Sequence, residues 1–315
     1  MQNKASITAL MSAFGRAFHA ENAKEPIFND TKAKELMTPE EYESIGRYIL
    51  GGIDFFAPER KGTFADDAET LRYLVNTQIA PTPVARARYC EESLLTSVRT
   101  GTEQYVILGA GLDTFAFRMP EFAKKYKVYE VDHPLTQQDK KERIRRAGWA
   151  LPEKLCFVPC DFTNDSLYEK LTEHGFDSSK KTFFSWLGVS MYLCREDIEK
   201  FLSEIASFAC DGSTLLFDYA SCGLFLSDVK RAQNMIAMAK AGGEELKSGF
   251  NMLALELMLS DHGFLCYEHL CSDDIQRRFF AGKADGLTAF EDINYVQAVY
   301  KKAGQIKPEN IGNLN

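Results

Sequence analysis

No stretch of about 18 consecutive apolar residues occurs in this sequence, so a helical membrane span is not expected. The apolar run from Ile7 to Phe18 is broken by Arg16 and lacks a small-residue cleavage site, which argues against a secretory signal. A surplus of positive charge is also missing. The 37 Lys and Arg residues face 45 Asp and Glu, and at a net charge of −8 each phosphate approaching the surface would meet a repulsive field. Nucleic acid is therefore not an expected partner. Histidine is sparse, with five residues, and none lies where it could complete a zinc quartet with Cys156 and Cys160, the closest metal-like pair. No metal is expected. The eight cysteines fall mostly within predicted strands and helices beside apolar neighbours, the usage of free thiols in a cytoplasmic protein. Internal repeats and low-complexity tracts are absent.

What the sequence does contain is enough apolar material for a packed core: 45% hydrophobic and 12% aromatic residues, with 26% charged. At 315 residues, one α/β unit with an added helical cap accounts for the whole chain. Ile7, Leu10, Met11, Phe14 and Phe18 recur at helical spacing, and Thr38 is placed to cap a helix over residues 39–49. Pro81 and Pro83 punctuate the entry to a helix over residues 84–98. After Gly101, short β-rich runs begin at Tyr105, Lys127, Leu155, Thr182 and Ser213. They alternate with helical stretches over residues 134–146, 166–173 and 196–208. This alternation predicts a doubly wound, Rossmann-like α/β sheet with parallel strands. Two last runs, 264–270 and 293–300, are expected to add an antiparallel pair at its edge. The predicted division is a helical cap over residues 1–83 and a core over 84–315, with an insertion after the fifth strand at about 220–248.

The sharpest chemical signal is Val106-Ile107-Leu108-Gly109-Ala110-Gly111-Leu112-Asp113-Thr114, an apolar strand running into two glycines that let a ligand approach the backbone. A dinucleotide fingerprint would place a third glycine where Thr114 stands. Asp132 ends the second strand about twenty residues on, where a carboxylate can accept from a ribose diol. Cys160-Asp161-Phe162 follows the third strand, so all three candidates lie at the carboxyl ends of consecutive strands, an edge suited to an adenine nucleoside. Asp161 has a plainer alternative as a helix cap. The basic run Lys140, Lys141, Arg143, Arg145 and Arg146 reads as the solvated face of a crossover helix.

With these elements in place the chain resembles the leucine carboxyl methyltransferase family, including its bacterial branch of polyketide O-methyltransferases. The likeness begins in Ser12-Ala13-Phe14-Gly15-Arg16-Ala17 and Ile27-Phe28-Asn29-Asp30 and continues in Val84-Ala85-Arg86-Ala87-Arg88-Tyr89. It is densest in the glycine segment, and it extends through Tyr129-Glu130-Val131-Asp132-His133-Pro134, Cys160-Asp161-Phe162 and Trp186-Leu187-Gly188-Val189-Ser190-Met191-Tyr192-Leu193. The resemblance implies a class I methyltransferase fold and S-adenosylmethionine (SAM) as methyl donor. It implies that Arg86 pairs with the methionine carboxylate of SAM and that Gly109, Ala110 and Gly111 line the methionine portion. Asp132 would hold the ribose, and Asp161 and Phe162 would frame the adenine. Relatives often carry a glutamate where this chain has Leu187, so no contact is carried over there.

Elementary chemistry supports Arg86 separately. A zwitterionic amino-acid end needs a cation, and a planar guanidinium can donate two parallel hydrogen bonds to a carboxylate. Arg88 is the competitor, but on a helix the two point about 200° apart, so only one should face the pocket. No catalytic base declares itself. An in-line displacement at a sulfonium methyl can be accelerated by positioning alone, and a carboxylate acceptor is already ionised at neutral pH. His133 and Tyr192 are possible helpers with structural roles as the plainer reading. The expected activity is SAM-dependent O-methylation of a small-molecule carboxylate or hydroxyl. Protein C-terminal carboxyl methylation, a nicotinamide-dependent dehydrogenase and a non-catalytic SAM-binding protein are the alternatives.

Overall fold

Seven strands form one sheet: β1 (Gln104–Leu108), β2 (Lys127–Asp132), β3 (Leu155–Pro159), β4 (Thr182–Trp186), β5 (Thr214–Ala220), β6 (Phe264–Leu270) and β7 (Ile293–Tyr300). The computed structural model describes residues 6–283 and 285–302, so the end of the expected core, residues 303–315, lies outside the described residues. The strand order is β3-β2-β1-β4-β5-β7-β6. The first five strands are parallel, and β7 lies antiparallel between β5 and the outermost strand β6. The doubly wound sheet with an antiparallel pair at one side is the architecture the alternating runs predict.

Side chains of successive residues point to opposite faces of a strand, so each strand feeds two cores. On β1, Tyr105 and Ile107 join one core with Phe14, Val84, Phe183 and Leu216, while Val106 and Leu108 join the other with Trp186, Phe201 and Phe217. Because helices cover both faces, β1 and β5 are buried at every position and read as continuous apolar runs rather than alternating ones. Each large apolar side chain fully buried this way contributes roughly 1.5–3 kcal/mol.

The N-terminal region supplies α1 (Ile7–Asn22), α2 (Pro39–Gly51) and α3 (Pro81–Arg99). Thr38 caps α2 as expected: its hydroxyl accepts from the Glu41 amide at 3.1 Å, and Glu41 reaches back to the Thr38 amide at 2.8 Å. The helix expected from Val84 instead begins at Pro81, because proline is favoured in a first helical turn, where its missing N–H has no partner to lose. The crossover helices are α4 (Pro134–Arg146), α5 (Leu167–Glu173) and α6 (Arg195–Phe208), and α7 (Lys230–Ala241) lies in the segment between β5 and α8 (Met252–Asp261).

The basic run on α4 is not simply a solvated face. Lys140 is buried against Glu130 of β2, each side chain only 1% exposed. Arg143 is also buried, and its guanidinium donates two bonds to Glu41 at 2.8 and 2.9 Å and a third to the Leu36 carbonyl at 3.0 Å. Lys141 and Arg145 do face solvent. Two of the five, Lys140 and Arg143, are thus turned inward, where they tie α4 to β2 and to α2. All eight cysteines are unpaired. Among the described residues, no helix is long and apolar enough to cross a membrane, and no group of three or more His, Cys, Asp and Glu could hold a metal ion.

Candidate active site

The strand order reverses between β1 and β4, and in open α/β sheets ligands bind in the crevice outside the carboxyl ends of the strands at such a point. The glycine turn leaves β1 there. Gly109 and Gly111 have φ of +68° and +49°, a region that favours glycine. A Cβ on Gly109 would fall 2.6 Å from Val189 Cγ2, and one on Gly111 would fall 3.0 Å from Ala9 Cβ of α1. The amides of Gly109 and Ala110 donate to the Val131 carbonyl at 2.9 and 3.1 Å. Asp132 completes the turn by accepting from the Gly111 amide at 2.5 Å through one oxygen and from the His133 amide at 2.7 Å through the other. Burial raises the Asp132 carboxyl above its ordinary range, against the opposing effect of these two amides.

Arg86 and Arg88 separate as helical spacing requires. Arg88 is exposed and pairs with Glu92 at 2.6 Å one turn along α3. Arg86 points inward, where Nη1 donates to Asp218 of β5 at 2.9 Å and Nη2 donates to Ser12 Oγ of α1 at 3.3 Å. Asp218 is fully buried, and its other oxygen accepts from the Gly188 amide at 2.6 Å. Sequence reasoning did not single out Asp218 or Ser12. Asp218 lies two residues before the end of β5, so the strand-end rule that selects Asp132 does not reach it.

The remaining candidates are placed differently. Asp161 lies beyond β3, but its carboxylate accepts from the Thr163 amide at 3.0 Å, the Thr163 hydroxyl at 2.7 Å and Asn164 at 2.8 Å, closing its own turn. The helix-cap alternative does not apply either, since Ser166 caps α5. Phe162 is half-buried, with its ring edge-on to Phe201 at 5.6 Å between centroids. His133 caps α4, its Nδ1 accepting from the Leu135 amide at 3.3 Å. Burial pushes the Tyr192 phenol up to about 12, with the Arg86 charge pulling the other way. Leu187 is half-buried and packs against the core with no charge to offer.

Helix α1 crosses above this cluster, and the segment after β5 fastens it: Ser6 Oγ donates to Glu244 at 2.9 Å and Thr8 donates to the same carboxylate. A cleft of about 360 Å³ lined by Glu103, Lys125, Lys127, Lys154, Asp177 and Lys180 lies at the opposite, amino-terminal edge of the strands, away from the glycine turn.

The family model for leucine carboxyl methyltransferase matches residues 9–206, which include the glycine turn, Asp132 and Arg86. The chain belongs to the leucine carboxyl methyltransferase family. It is 44% identical over 303 residues to the protein named "Putative S-adenosyl-L-methionine-dependent methyltransferase YktD" of Bacillus subtilis, a match covering 95% of this chain and 99% of that one. It is 32% identical over 214 residues to a similarly named protein of Mycobacterium marinum, covering 67% of this chain and 65% of the relative. A crystal structure of a "putative methyltransferase" from Thermobifida fusca shares the fold at a TM-score of 0.57 and 13% identity, with 96% of each chain covered. A DUF574-family protein from Streptomyces avermitilis does so at 0.54 and 14%, covering 82% of this chain and 96% of that one.

This leucine carboxyl methyltransferase family member is an enzyme, a SAM-dependent methyltransferase. The dehydrogenase and non-catalytic alternatives are thereby set aside. The residues present fit the donor: two left-handed glycines leave the turn backbone bare of side chains, and an arginine, the partly buried Asp132 and the fully buried Asp218 stand around the same crevice. When bound, SAM supplies an electrophilic methyl group on sulfur.

Proposed function

We propose that the enzyme O-methylates a small molecule and that a carboxylate is the best-fitting acceptor, with an acidic hydroxyl as the second class. In this reading Arg86 holds the donor's carboxylate, Gly109, Ala110 and Gly111 pass along its methionine portion, and Asp132 accepts from its ribose. Asp161 and Phe162 border its adenine, Phe162 by its ring and Asp161 by the turn it closes. The observation that carries the acceptor assignment is the chemistry of the strand-end cluster. Tyr192 is held near 12, far from the value near 7 that suits a general base at neutral pH, and His133 is engaged as a helix cap. A carboxylate needs no proton removed, so such a site can act by positioning alone.

The cap over residues 1–83 and the insertion at about 220–248 are read as the walls of the acceptor pocket. The contacts of Glu244 with Ser6 and Thr8 support this, because they draw the two segments together above the glycine turn. An enclosed site favours a small molecule over a protein C-terminus. The test is methyl transfer from isotopically labelled SAM to panels of small carboxylic acids, phenols and C-terminal leucine peptides. Base-labile label on the carboxylic acids, at a rate flat between pH 6 and 8, is expected. Label found only on peptides would place the protein-carboxyl alternative first, and base-stable label with a rate rising with pH would mark a phenol.

A further inference from the structure

We infer that Asp218 is the positioning residue for the donor, setting the angle at which Arg86 meets the SAM carboxylate. The inference rests on the reading of Arg86 given above. β4 and β5 run in parallel register up to the pair Trp186 and Phe217, so Leu187, the first residue past β4, comes level with Asp218, which β5 still holds in its pairing with β7. Leu187 brings no charge, and the acid beside Arg86 stands on β5.

The geometry is that of an anchor. The Asp218 side chain is completely buried, whereas that of Arg86 remains 14% exposed, so the carboxylate lies behind the guanidinium as seen from the crevice. Each Asp218 oxygen has one partner: the Gly188 amide at 2.6 Å and Arg86 Nη1 at 2.9 Å. The hydrogen bond donated by the Gly188 amide keeps the carboxylate from rotating with the arginine. Space on the turn side is equally restricted, because a Cβ on Gly188 would lie 2.5 Å from Arg86 Nη1. The only other partner of the guanidinium among the described residues is Ser12, which accepts from Nη2 at the longer distance of 3.3 Å, so Nε and one hydrogen on each Nη are left for a ligand. A guanidinium held by one edge presents its other edge in a fixed direction, which is what two-pronged recognition of a carboxylate requires.

The test compares SAM with 5′-methylthioadenosine, which has the nucleoside and the thioether but no amino-acid end. Asp218→Asn keeps the shape and an acceptor for the Gly188 amide but removes the charge that holds Nη1. The expected result is SAM affinity weakened about tenfold by calorimetry, with methylthioadenosine affinity unchanged within error. Combined with Arg86→Ala, the second substitution should add little further loss, because both act through one contact. Should the Asn variant fail to fold by thermal unfolding, Asp218→Glu carries the test. It keeps the charge but shifts it by one methylene, and a smaller loss confined to SAM is expected. Equal loss for both ligands would mean that Asp218 only supports the fold. Unchanged or tighter SAM binding would mean that it does not position Arg86 or that it competes with the ligand. Either result overturns the inference. The underlying reading fails separately, if Arg86→Ala itself binds SAM normally.

Discussion

Thr114 donates its hydroxyl proton to Asp30 at 2.7 Å, joining the segment after the glycine turn to the N-terminal helices. The position where a dinucleotide fold has its third glycine is used here as a cross-link. Asp30 is fully buried and also accepts from Arg16 Nε at 2.8 Å and the Ala33 amide at 3.1 Å, with Arg118 Nε at 3.3 Å. Arg16 in turn donates to the Leu112 carbonyl at 2.8 Å, so a cap residue grips the turn itself.

Asp30→Ala is therefore expected to cost about 3–5 kcal/mol, since it leaves the charges of Arg16 and Arg118 without their shared partner. Burial by itself would raise the Asp30 carboxyl, but the charges of Arg16 and Arg118 and the bonds from Arg16 and Thr114 outweigh it, and its pKa lies below the ordinary 3.8. With the folded value depressed, this contribution is present above the ordinary carboxylate range and is lost as pH falls through the folded pKa. Denaturant titrations of the native protein and Asp30→Asn should differ most near neutrality, and the gap should narrow below pH 4. A gap independent of pH would show that the Asp30 charge is irrelevant.

Replacing Arg86 with alanine is expected to weaken SAM binding by roughly 2–4 kcal/mol, or about thirty- to a thousandfold. Arg86→Lys should fall between this variant and the native protein, because an ammonium restores charge without the two-pronged geometry. Arg88→Ala, on the outer face of α3, should bind as the native protein does. Calorimetric titration with SAM tests all three. Thermal unfolding must accompany it, since losing Arg86 also leaves buried Asp218 unpaired.

Gly188→Ala tests the same cluster from the turn side. At φ of +69° an added Cβ costs about 1–2 kcal/mol, and it would press on the guanidinium of Arg86 at 2.5 Å from Nη1. The arginine tip is the part able to move, so the variant should remain folded, lose a few degrees of Tm and bind SAM more weakly. Native affinity in a folded Gly188→Ala protein would contradict the placement of Arg86.

The buried pair of Lys140 and Glu130 should behave differently from Asp30. Lys140→Met alone leaves Glu130 buried without its cation and is expected to cost about 3–5 kcal/mol. Adding Glu130→Leu should recover most of that loss, because two apolar side chains avoid the desolvation both charges incur. Urea unfolding of the single and double variants measures this, and the midpoint of the double variant should lie near the native one.

Local pattern determined a good deal of this protein. The apolar runs separated by helical stretches specify the parallel sheet because strand burial and helix periodicity are properties of a few consecutive residues. The glycine turn and Asp132 were legible for the same reason, as each is tied to the end of one strand. Thr38 was legible as a cap because its partner Glu41 lies three residues away. The partners of the charged groups were decided only by the tertiary structure. Arg86 meets Asp218 across 132 residues, Arg143 meets Glu41 across 102 and Thr114 meets Asp30 across 84. A charged side chain looks the same in sequence whether it faces water or an opposite charge, which is why Lys140 and Arg143 read as surface residues. Asp161 shows the converse, since a turn that satisfies its carboxylate depends on how Thr163 and Asn164 fold back on it. Burial and pairing are set by which elements the sheet order brings together, and that order arises from packing the whole chain rather than from any short segment.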